Sequence, residues 1–287
     1  MLAKYFLLIS SLIFLWVGLF SAEASVLYFN TQNDQYHQND IFLTEIRLDT
    51  ENENINLGEI TVNFTPEYLE VVNISTGDSV FTLWPKNPIF SNKDGLISFA
   101  GGAPGGFNGD GKLLSIYFKA SKIGETSIGF KADSNILLND GSGSRANLTA
   151  KTASIEILPT SSDTPKNEWE AQIKEDHTIP EDFEIKIEKI EGKYFAIFST
   201  TDGQSGIDKY EIKEGAGEWK TGGSPYLLEN QNLRNKIIVK AVDKAGNERI
   251  NEILPKELIY FWIFVSSLIL LILAILVWAF LKRFKKR

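Results

Sequence analysis

The chain has 287 residues, no cysteine, two histidines and a formal net charge of −8. Without thiols there is no disulfide staple and no thiolate nucleophile or ligand. His37 and His177 lie far apart, which rules out a His-rich metal site and leaves a serine–histidine triad almost no material.

In chain order, Met1–Lys4 is an n-region with one positive charge, and Tyr5–Phe20 is an apolar run. Ser21-Ala22-Glu23-Ala24 then supplies the small residues of an A-x-A cleavage site. This layout predicts a secretory signal peptide over residues 1–24, with an uncleaved N-terminal anchor as the alternative. Beyond it, Ser25–Glu257 holds 23 Lys and Arg against 36 Asp and Glu, a net charge of −13. That balance argues against nucleic acid as a partner, because a phosphate-binding surface needs a positive field.

From Val26 to Leu158, short alternating segments are punctuated by Gly, Asn and Asp. Glu59–Phe64 alternates strictly, with Ile60, Val62 and Phe64 on one face and Glu59, Thr61 and Asn63 on the other. Lys112–Ala120 places Leu114, Ile116 and Phe118 inward and Ser115, Tyr117 and Lys119 outward. Further candidate strands are Ile41–Leu48, Leu69–Ile74, Val80–Leu83, Leu96–Ala100, Thr126–Phe130, Asn135–Leu138 and Ala153–Leu158. Many short strands at regular spacing predict a β-sandwich or jelly roll. Asn108-Gly109-Asp110-Gly111 tolerates positive φ and predicts a tight hairpin. It lacks the further carboxylates, at fixed spacing, of an EF-hand-type calcium loop.

Phe64-Thr65-Pro66-Glu67-Tyr68-Leu69-Glu70-Val71 resembles the Y-D-P-x-x-L-E-V segment of cohesin domains. Lys93–Ala100 is similar to their G-x-I-x-F strand, Gly109–Lys119 to their G-x-L-x-x-I-x-F-K strand, and Gly124–Ile128 to their G-x-T-x-I. The motifs come in the family's order. Two departures stand out: Thr65 replaces the family's Asp, and Gly101–Gly106 is unusually glycine-rich. The resemblance implies a nine-stranded jelly-roll sandwich over 25–158 that binds rather than catalyses. Its implied partner is an extracellular dockerin-type protein, itself calcium-dependent, held on an exposed sheet surface. Glu59 falls where some cohesins carry a partner-contacting Asp, so Glu59, Thr61 and Asn63 are the candidate partner-binding residues. The bland reading of the same three is that they are solvated strand positions. Cohesins share a fold superfamily with carbohydrate-binding modules, which makes a polysaccharide the alternative partner. Trp84 before Pro85 and Phe107 in a glycine loop are then the candidates for stacking on sugar rings, although loop aromatics also simply pin loops. No catalytic residue, cofactor or metal is expected.

Residues 159–180 break the pattern with Thr160–Pro165 and the charged run Glu168–Asp176, and read as a semi-flexible linker. Trp169 either seeds a short helix packed on a neighbour or is an isolated anchor. Over 181–253 alternation returns at Phe183–Ile187, Tyr194–Phe198, Tyr210–Ile212 and Ile237–Val242, in a length that suits a small Ig-like sandwich. Asp202–Glu211 and Val239–Asn247 resemble Ig-like repeats of bacterial surface proteins, which act as stalks. Asp243–Asn247 reads as a turn. Trp219 and Tyr226 are expected as core or corner aromatics.

Leu258–Leu281 has no charged residue and would reach about 36 Å as a helix, which predicts a transmembrane span. The basic residues over 282–287 predict a cytoplasmic tail. The expected whole is all-β apart from that helix: a single-pass cell-membrane protein with its N-terminal portion extracellular, serving as a non-enzymatic binding or scaffolding protein.

Overall fold

The computed structural model describes residues 24–161 and 164–284, with side chains described through Pro255 and again over Phe264–Trp278. The expected signal peptide, Ala24 apart, lies outside the described residues.

The cohesive N-terminal unit is built from β1 (Ser25–Thr31), β2 (Gln35–His37), β3 (Ile41–Asp49), β4 (Ile55–Phe64), β5 (Leu69–Ser75) and β6 (Leu83–Ser91), followed by β7 (Leu96–Phe107), β8 (Asp110–Ala120), β9 (Gly124–Phe130), β10 (Asn135–Leu138), β11 (Leu148–Ala150) and β12 (Ala153–Leu158). A five-stranded sheet runs in the order β11-β1-β3-β8-β5. A seven-stranded sheet runs β2-β12-β9-β4-β7-β6, with β10 paired to β4. Alternation decides which face each strand buries. In β4, Ile60 and Val62 are fully buried while Glu59 and Asn63 are exposed. The inward faces meet in one core, where Phe118 of β8 and Phe64 of β4 pack edge-on with centroids 5.4 Å apart.

Twelve strands stand here where nine are expected. The two shortest additions, β2 and β11, are three residues each and pair in parallel at the sheet margins, on β12 and β1. Three residues are too few to show a period. The strand expected at Val80–Leu83 is instead β6, and Pro85 and Pro88 hide it. Proline donates nothing to a ladder and is therefore confined to edges, and β6 is the edge strand of its sheet. Phe81, just before it, is fully buried. Its ring fills the place of the missing side chains of Gly58 and Gly101, which face each other across β4 and β7.

The segment after β12 does not hang free. Ile41 N donates to Lys166 O at 2.8 Å and Leu43 N to Glu168 Oε2 at 2.7 Å, so the chain runs along the edge of β3 beyond its pairing with β1. Helix α1 (Glu168–Glu175) follows, capped by Asn167, whose Oδ1 accepts from Glu170 N at 3.0 Å. Trp169 packs on Tyr117 with centroids 4.8 Å apart. The helix thus packs on part of the outer face of the five-stranded sheet. Tyr117, beneath Trp169, and Ser115, both expected to point to solvent, are buried.

The C-terminal β unit comprises β13 (Lys186–Ile190), β14 (Lys193–Ile197), β15 (Ile207–Glu214), β16 (Lys220–Gly222), β17 (Tyr226–Leu227), β18 (Ile237–Asp243) and β19 (Glu248–Ile253). These form a three-stranded sheet, β13-β14-β17, and a four-stranded sheet, β16-β15-β18-β19. Phe198, Ile212, Leu228 and Val239 lie in their shared core, and Tyr226 packs against it. Trp219 is a surface residue instead, with Lys240 Nζ 4.9 Å from its ring centre. The unit rests on the N-terminal one through the 202–206 loop. Ser75 Oγ donates to Ser205 O at 2.6 Å and Asp78 N to Asp202 O at 3.1 Å.

Helix α2 (Lys256–Phe284) ends the described chain, and its described side chains, Phe264–Trp278, are largely exposed. The expected single-pass cell-membrane localisation, with an extracellular N-terminal portion and a cytoplasmic tail, is corrected here. Among the described residues no helix is long and apolar enough to cross a membrane.

Candidate partner-binding face

The outer face of the seven-stranded sheet carries Glu59, Thr61 and Asn63 on its central strand. The antiparallel register builds the surroundings of each. Glu59 stands opposite Ala100 of β7 and Asn135 of β10, Thr61 opposite Ser98, and Asn63 opposite Leu96 of β7 and Gly129 of β9. On the far side of β7, Lys86, Ile89 and Ser91 of β6 continue these rows. Beyond β9, Ser127 faces Ser154 and Glu125 faces Glu156. The three candidates are therefore brought together as one polar strip, and Ile89, 57% exposed, is the large apolar side chain beside it. Thr61 is half-buried because Ser134 clips onto it: Thr61 N donates to Ser134 Oγ at 3.0 Å, and that hydroxyl donates to Thr61 O at 3.2 Å. This fixes the β9–β10 connection over the strip's edge.

The sugar-stacking candidates sit elsewhere and differently. Trp84 is half-buried against the core, edge-on to Phe81 with centroids 6.0 Å apart and tilted on Phe99 at 6.1 Å. Phe107 also packs on the core, its ring filling the space a side chain at Gly111 would need. Both are partly buried. At the Asn108–Gly111 corner, Asp110 is committed to internal partners. Its carboxylate accepts from Tyr28 Oη at 2.9 Å and pairs with Arg47 Nε at 3.2 Å.

Sequence reasoning misses one constellation. Asp176, Asp202 and Asp243 come together with one carboxylate oxygen of each within 4.8 Å of the others. Asp176 belongs to the charged linker run and Asp243 to a turn, and nothing in their spacing joins them to Asp202. Composition does show loops rich in Asp, Asn and Gly at the last two positions, the only available signal.

The cohesin-domain family model matches residues 30–158. Among solved structures, the chain is similar to the seventh ScaB type I cohesin of Pseudobacteroides cellulosolvens, at 14% identity over 49% of this chain and 96% of that one, with a TM-score of 0.40. It is also similar to a type I cohesin–dockerin complex from Clostridium thermocellum, at 16% identity over 47% and 100%, TM-score 0.39. A non-cellulosomal cohesin from the archaeon Archaeoglobus fulgidus is similar at 14% identity over 54% and 100%, TM-score 0.40. No curated protein matches. The chain carries a cohesin domain over residues 30–158.

Proposed function

We propose that the cohesin domain holds a dockerin-type protein against the outer face of its seven-stranded sheet, with Glu59, Thr61 and Asn63 at the centre of the contact. The family match over 30–158 supports this reading. One observation favours this face: α1 and Trp169 pack on part of the outer side of the five-stranded sheet, while Glu59 and Asn63 are exposed. The strip supplies a carboxylate and two neutral polar groups for orientation, and Ile89 as an apolar anchor that a partner can desolvate. Residues 181–253 serve as an Ig-like stalk that presents the domain.

The test is to immobilise the full chain, load a native extracellular protein fraction in calcium, wash with a chelator and identify what is released. A dockerin-bearing protein is expected in the release, and it should be absent when Glu59→Lys and Asn63→Lys are combined. Retention of no dockerin-bearing protein, from a fraction shown to contain intact ones, would contradict the reading.

A further inference from the structure

Three carboxylates converge where the linker, the 202–206 loop and the β18–β19 turn meet. Asp176 caps the C-terminus of α1, and Asp243 ends β18. All three are almost fully buried, at 2%, 1% and 2% exposure for Asp176, Asp202 and Asp243. Each is held by its own donors. Asp176 Oδ1 accepts from Thr178 Oγ1 at 2.8 Å, and its Oδ2 accepts from Ser205 N at 3.0 Å. Asp202 Oδ2 accepts from Gly206 N at 2.8 Å and Gln204 N at 3.0 Å. Asp243 accepts from Asn247 N and Asn247 Nδ2, both at 2.8 Å.

These donors orient the carboxylates without neutralising them. Lys244, next to Asp243, is engaged elsewhere: its Nζ donates to Asn73 Oδ1 at 2.8 Å.

A second observation points to a ligand. Asp202 Oδ1 and Ser205 Oγ are both buried with no hydrogen-bond partner. The Ser205 amide bond to Asp176 brings the Ser205 hydroxyl beside that carboxylate. Unpaired buried oxygens are costly, and a cation among them would satisfy both. The donors are all oxygen and three are anionic, which selects a hard divalent ion over zinc or copper. The oxygens lie within 4.8 Å of one another, close enough for one cation to bridge, and calcium tolerates irregular oxygen geometry where magnesium demands near-octahedral order.

We propose that Asp176, Asp202, Asp243 and Ser205 form a calcium site that ties the linker helix and the C-terminal unit to the cohesin domain. The Asp202 and Ser205 carbonyls accept the contacts from Asp78 and Ser75 that dock the two units, so filling the site fixes the docking loop.

The test is calorimetric titration of the chelator-treated full chain with calcium chloride, alongside thermal melting and trypsin digestion. A single saturable site is expected, with a melting temperature raised by roughly 5 °C or more at calcium about 100-fold above Kd. Cleavage within residues 164–180 should slow in parallel. Asp202→Asn, nearly isosteric, should weaken calcium by about 100-fold or more. Ser205→Ala, which removes only an unpaired hydroxyl, should keep the metal-free melting temperature and weaken calcium by about 10-fold. Glu59→Lys should leave calcium binding unchanged, which separates this site from the partner face. Absence of saturable binding by the wild-type chain, or unchanged affinity in both Asp202→Asn and Ser205→Ala, would overturn the assignment.

Discussion

At the scale of single residues, the glycines of the β4–β7 pair are occupied space rather than slack. A methyl group at Gly101 would stand 2.3 Å from the Phe81 ring, which has nowhere to retreat within the core. Gly101→Ala should therefore cost about 1–3 kcal/mol, and Phe81→Ala about 3–5 kcal/mol, in denaturant unfolding. Tyr117 gives a titration handle on the covered sheet. Burial first, and then the Glu168 and Glu45 carboxylates, push its phenol up to about 12. The raised value means that the neutral phenol is favoured in the folded state. Its contribution to stability is complete below the ordinary tyrosine pKa of about 10 and is lost as pH rises through about 12. Trp169→Ala uncovers the ring and should return this titration toward the ordinary value in an alkaline absorbance titration. An unchanged value would mean that the helix is not what buries Tyr117.

Elements were legible in proportion to their regularity. β4 and β8 alternate over long stretches, so their inward faces follow from side-chain order alone. β6 failed that reading because two prolines interrupt it, and only its place at a sheet edge makes them tolerable. The outward set of β8 failed for a different reason. Ser115 and Tyr117 are buried all the same, Tyr117 under Trp169 of α1, and local alternation carries no information about a later segment. The helix itself is short and has no buried residue, so its amphipathic signal was too weak to separate it from a spacer. The outward placing of Glu59 and Asn63 was legible because they lie on one strand at period two. The three aspartates were not, because three separate loops bring them together.

For the whole molecule, the consequence is a sandwich whose five-stranded sheet carries the chain's own linker helix on part of its outer face. The unit that follows is seated rather than tethered. A methyl group at Gly77 would stand 2.0 Å from the Gln204 carbonyl oxygen, with backbone on both sides. Gly77→Ala must push the docking loop away, costing about 1–3 kcal/mol and quickening protease cleavage within the 164–180 segment. Unaltered cleavage would show that the seat does not restrain the linker.

Binding of a dockerin-type partner on the face around Glu59 is tested by a paired substitution. Affinity for the captured dockerin would be measured by titration calorimetry for the wild-type chain, for Glu59→Lys, and for Glu70→Lys, an exposed position on the opposite, five-stranded sheet. The expected result is a loss of about 10-fold or more for Glu59→Lys, equal to about 1.4 kcal/mol, with no change for Glu70→Lys. Full affinity in Glu59→Lys together with a loss in Glu70→Lys would place the partner on the other sheet and contradict the account.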